Sequence, residues 1–196
     1  MRIRMKKLVV FIPAVLILGW VLAACSMPPT EEMNRAIDAV IRAESDPDAV
    51  IYAPNSLIRA REALARMQSE ADARRFDSAR NYAAEAIRNA ERAVADGQTG
   101  LARARDEAAN LLNSLTIQLA ETTSALNAAR QVPGIDLDFG ALFMDLDFAR
   151  QTYDDAWQSF HRNNFPDAIA KAQAVRSILA GINSRINEAA QATSLK

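Results

Sequence analysis

From Pro54 onward, apolar residues return every three or four positions along most of the chain. Leu57, Ala60, Leu64, Met67 and Ala71 form one series, and Ala79, Tyr82, Ala83, Ala86, Ile87, Ala90 and Val94 form the next. That spacing gathers apolar side chains on one face of a helix and leaves the charged ones on the other. No alternating run long enough for a strand stands beside these series. Alanine is abundant, while 6 Gly and 7 Pro are few in 196 residues, so helices meet few breakers. The expected fold is all-α, with helical hairpins packed as an elongated bundle.

Boundary signals divide the helical pattern. Thr30 is a suitable N-cap, with Glu31 and Glu32 in the first turn, where the helix dipole favours anions. Ala36, Ile37, Val40 and Ile41 follow, and this helix is expected to stop near Ser45-Asp46-Pro47-Asp48. Pro54 opens a second helix, and a third begins around Phe76-Asp77. Gly97 and Gly100 each weaken a helix by about 1 kcal/mol relative to Ala. They mark either a turn or a soft point in one long helix, and the stripe that resumes through Leu101, Ala104, Ala108, Leu111, Leu115, Leu119 and Leu126 favours the second. Residues 131–140, with Pro133-Gly134, are expected to form a linker. Leu142, Leu146, Ala149, Tyr153, Ala156 and Phe160 give another helix face. Asn163-Asn164 is a turn, and Pro166 starts a last helix whose stripe runs from Ile169 to Ile186, with a polar tail after Ala190.

A shift of 89 residues aligns part of the chain with itself. Leu57 falls on Leu146, Ala60 on Ala149, Arg61 on Arg150, Phe76 on Phe165, Ala79 on Ala168 and Ala83 on Ala172. Either one helical hairpin has been used twice, or two Ala-rich amphipathic hairpins align by chance. The segments Arg75-Phe76-Asp77-Ser78-Ala79 and Asn164-Phe165-Pro166-Asp167-Ala168 loosely resemble the turn of tetratricopeptide-type repeats. The small residue which that family puts late in its first helix is not matched at the expected offset.

The first 25 residues carry a different signal. Arg2, Arg4, Lys6 and Lys7 precede an apolar run from Leu8 to Leu22, and small residues follow, the layout of a secretory signal. Leu22-Ala23-Ala24-Cys25 resembles the lipobox of bacterial lipoproteins. The resemblance implies cleavage between Ala24 and Cys25 and acylation of Cys25, the only cysteine. With Ser26 after it, it further implies anchorage in the outer membrane; the body is expected to face the periplasm. A plain signal peptide and an uncleaved membrane helix are the alternatives; the apolar run of about 15 residues falls short of the roughly 20 needed to span. The expected organisation is a signal peptide over 1–24, a lipidated tether over 25–29, an Ala-rich helical domain over 30–130, a linker over 131–140 and a C-terminal helical hairpin over 141–192.

A wider resemblance covers about residues 25 to 96. The lipobox, a short Ala-rich helix, Tyr52-Ala53-Pro54, Ala60, Leu64, Phe76, Ala79 and Ala83 together resemble an uncharacterised family of bacterial envelope lipoproteins with an Ala-rich helical domain of unknown function. It brings no catalytic residues and no cofactor.

Charge narrows the partners. Beyond residue 24 the chain has 19 basic and 24 acidic residues, a charge of −5, which argues against nucleic acid. His161 is the only histidine and reads as a polar helix-end residue, without a nucleophile to serve as general base. Asp136, Asp138, Asp145 and Asp147 could offer oxygen ligands to Ca²⁺, but carboxylates before a helix also cap it; no metal is expected. The chain is therefore not expected to be an enzyme. The second half concentrates aromatics, and Phe143, Tyr153, Trp157 and Phe160 form the candidate binding face. The expected role is a structural or adaptor module for another cell-envelope protein, held to the membrane through Cys25. The alternative is a carrier of a small apolar ligand in a cavity lined by Phe143, Trp157 and Phe160.

Overall fold

The computed structural model describes residues 27–194, and every element among them is a helix. In chain order these are α1 (Thr30–Ser45), α2 (Pro47–Tyr52), α3 (Pro54–Asp72), α4 (Phe76–Arg130), α5 (Phe139–His161) and α6 (Phe165–Ser194). The expected all-α class holds for these residues. The expected signal peptide, its cleavage at Ala24 and the lipidated Cys25 lie outside the described residues.

Several starts and stops follow from the signals in the chain. Pro29, not Thr30, occupies the N-cap of α1; its carbonyl accepts from the Met33 N–H at 3.0 Å. Pro47 ends α1 and also opens α2, a helix that apolar periodicity is too short to reveal. The Asp46 carboxylate caps it, accepting from the Asp48 and Ala49 N–H groups at 2.9 Å each. Pro54 leads α3, where its missing N–H would be unpaired anyway. Gly97 and Gly100 lie inside α4, which is continuous over 55 residues. The turn after it holds Gly134 at φ +79°, and α5 begins at Phe139, two residues before the expected edge of the linker.

The chain divides into two compact units, one reaching to Asp96 and the other starting at Gly97. This falls within α4 rather than at the expected 130/131 boundary, because the two stretches of α4 bury their stripes in different cores. In the first unit, α1, α2, α3 and the opening of α4 share one core, ten of whose thirteen buried residues are alanines, among them Ala36, Ala60, Ala83 and Ala90. In the second, Leu112, Leu115 and Leu126 of α4 pack with Leu142 and Leu146 of α5 and Val175, Leu179 and Ile182 of α6.

The two hairpins, α3–α4 and α5–α6, close with the same turn at the 89-residue offset. Among the described residues, Arg74 and Asn163 are the two non-glycine residues of positive φ, at 56° and 59°. Arg75 N–H donates to Glu70 O and Asn164 N–H to Ser159 O, both at 2.9 Å. Ala73 N–H to Ser69 O and Arg162 N–H to Gln158 O both measure 3.1 Å. This is a Schellman-type helix end, whose left-handed residue lets the following N–H groups reach back to the last carbonyls. The next helix then opens on Phe76 or Phe165. Ala79, Ala83, Ala168 and Ala172 are all fully buried where the helices meet.

Candidate functional site

The aromatic stretch lies on α5. The Asp138 side chain starts that helix by accepting from the Ala141 N–H at 3.0 Å. Leu142, Leu146, Ala149 and Ala156 are then buried at three- and four-residue spacing, which fixes the core-facing side.

All four residues of the candidate face are half-buried and rest against the core of the second unit. Tyr153, Trp157 and Phe160 come together. Trp157 meets Tyr153 edge-on at 6.4 Å and Phe160 edge-on at 5.4 Å between ring centres. His161 stacks on Trp157 at 5.5 Å, and Phe160 reaches Phe165 at 5.3 Å. The series thus runs from the middle of α5 around the turn into α6. Edge-on and stacked pairs of this kind add to the burial of the rings. Phe143 is not part of the series: it lies about 21 Å along the helix from Trp157 at 1.5 Å per residue. The three side chains expected to line a ligand cavity therefore do not converge.

Polar contacts pin both edges of this helix. The Tyr153 and Thr116 hydroxyls lie 2.7 Å apart, and Arg150 bonds Thr123 Oγ1 at 3.0 Å and Asp147 at 3.1 Å. Near the turn, Lys171 Nζ donates to Asp167 at 2.7 Å and to the buried Ser159 hydroxyl at 2.9 Å. The Lys171 hydrogen bond first, and that from Ser159 next, hold the Asp167 carboxyl below the usual carboxylate range. Three of the four aspartates weighed as metal ligands are engaged singly. Asp138 caps α5, Asp145 pairs with Arg185 and Asp147 with Arg150. Among the described residues no three His, Cys, Asp or Glu side chains are placed to hold a metal ion, and no helix is long and apolar enough to cross a membrane.

Among the described residues, the grooves of the second unit include one of about 590 Å³ lined by Thr116, Leu119, Thr123, Arg150 and Tyr153 among others. A second of about 560 Å³ lies by Arg103, Glu107 and Arg176, and a third of about 390 Å³ by Asp136, Asp138 and Arg185. Tyr153 is the one residue of the candidate face that lines any of the three.

Residues 31–109 match the family model described as "Domain of unknown function (DUF4398)". No curated protein and no solved structure matches the chain. The matched domain agrees with the uncharacterised family expected from Tyr52-Ala53-Pro54 and the alanines behind it. It takes in the described helices of the first unit and the next few turns of α4. The candidate face on α5 lies beyond it.

Two exposed apolar residues on α5 were missed as a pair. Met144 is 74% and Phe148 61% exposed. The signal was present: once Leu142, Leu146 and Ala149 define the buried side, positions 144 and 148 fall opposite it.

Proposed function

We propose that this chain is a membrane-anchored lipoprotein whose helical hairpins, loosely tetratricopeptide-like, present a binding surface to another cell-envelope protein. In this reading Cys25 becomes the first residue after cleavage behind Ala24 and carries the acyl chains. The body faces the periplasm from the outer membrane. Each buried methylene contributes about 0.8 kcal/mol to membrane binding, so more than one chain gives stable anchorage.

The observation that carries the adaptor role is the ring series Tyr153–Trp157–Phe160, half-buried on the second unit and backed by the buried Phe165. Large aromatic side chains that keep part of their surface in water are the residues that dominate binding energy at protein interfaces. The net charge of −5 supports a protein over a nucleic-acid partner.

Cross-linked capture from intact envelopes tests this, with wild type compared with Trp157→Ala. The variant is expected to lose its partner while keeping the helical circular dichroism of the wild type. A wild-type chain that captures nothing, or a variant that captures as well as wild type, sinks the adaptor role. Mass measurement of the native N-terminal peptide tests the anchor separately; an unmodified Cys25 thiol or a retained leader defeats it.

A further inference from the structure

We infer that the ridge formed by Met144 and Phe148 on α5 is a docking site for a basic amphipathic helix of a partner polypeptide. The inference rests on the adaptor reading and names the partner's chemistry. Four residues apart, the two side chains stand one turn apart on the same side of the helix, away from Leu142, Leu146 and Ala149, which enter the core. Gln151 and Asp155 continue the same line at i+7 and i+11, and Asp147 and Asp154 border it. A partner helix laid along α5 would meet two apolar knobs and then an acidic strip.

Charge selects the occupant. The segment 131–161 holds six aspartates and one arginine, a net charge as negative as that of the whole chain beyond residue 24. Asp145 and Asp147 have ion-pair partners in Arg185 and Arg150; Asp154 and Asp155 extend the negative charge towards the turn. An anionic lipid surface is repelled by such a face. A second copy of this chain would bring the same six aspartates against each other. A helix with leucines on one side and lysines beside them is attracted and held in register.

The test uses the full chain and a labelled synthetic peptide with Leu at i, i+3, i+4 and i+7 and Lys on the flanks. Fluorescence anisotropy should show binding about tenfold tighter or more than for a scrambled peptide of the same composition, and none when the Lys are replaced by Glu. Met144→Ser with Phe148→Ser should weaken binding about tenfold without changing helicity, because both residues are exposed. Equal affinity for the scrambled peptide, or undiminished binding by the double variant, overturns the inference. So does self-association, or binding to phosphatidylglycerol vesicles, that the double variant abolishes. In envelope capture, a partner kept by the double variant but lost by Trp157→Ala overturns this inference and leaves the adaptor role standing. A wild-type chain that captures nothing overturns the adaptor role, while the peptide titration still decides the surface.

Discussion

Ser159 sits buried between α5 and α6. Its hydroxyl lies 3.0 Å from the Asp155 carbonyl and 2.5 Å from the Asp167 carboxylate, and it accepts from Lys171. Holding Asp167 as an anion links this corner to pH. The folded carboxyl binds a proton less readily than the unfolded one, for which the pKa is about 3.9. Its contribution is therefore complete above that value and lost as pH falls through the lower folded value. Asp167→Asn should be less stable than wild type at pH 7, and the gap should begin to narrow as chemical denaturation is repeated below pH 4. A gap constant over that range would show that Asp167 does not titrate against Lys171 and Ser159. The sequence showed Asp167 as part of the turn segment Asn164-Phe165-Pro166-Asp167-Ala168 without its partners, and periodicity has no means of pairing Ser159 with a lysine twelve positions on. The same holds for Thr122, which is buried on α4 and accepts from the Asn183 amide at 2.9 Å. Such pairs depend on how helices rotate against each other.

Helices were more legible than their ends. α3, α5 and α6 follow from the apolar stripes, and Pro54 and Phe76 mark real starts. α2 was hidden because six residues are too few to show a period, and its cap, Asp46, reads equally well as the end of α1. Glycines separate the two cases of backbone freedom. Gly181 lies within α6 with open space where a Cβ would go, so Gly181→Ala should stabilise the protein by about 0.5–1 kcal/mol. Gly134 also has open space, yet its φ of +79° is left-handed. Gly134→Ala should therefore destabilise by about 1–2 kcal/mol. Urea unfolding of both variants checks the opposite signs; two changes of the same sign would refute the backbone argument. Among the aromatics, the sequence located the crowded helix but not which rings face outward. Phe143, Tyr153, Trp157 and Phe160 all lean on the core, while Met144 and Phe148 stand clear of it.

The repeat left open by six aligned positions is met again in the backbone. The two hairpin turns share their left-handed residue and their reaching-back hydrogen bonds, which chance alignment of alanines does not require. What differs between the copies is bulk. At the same offset Ala86, Ala90 and Ala93 of the first core are replaced by Val175, Leu179 and Ile182 in the second. Leu179→Ala should cost about 2–5 kcal/mol, the range for emptying a buried leucine site. Ala90→Leu should cost about 1–3 kcal/mol through crowding. Thermal or denaturant melts of the two variants read both, and an Ala90→Leu protein as stable as wild type would mean that the first core has room to spare.

The lining of methyl groups in the first unit has a consequence for how this protein can change over generations. A wall of alanines has almost nothing left to trim, so its hazard is enlargement; the leucine-rich wall of the second unit has the reverse exposure, to shrinkage. A survey of every substitution along the chain would show two neighbouring stretches with opposite tastes, the one forgiving small side chains and the other forgiving large ones.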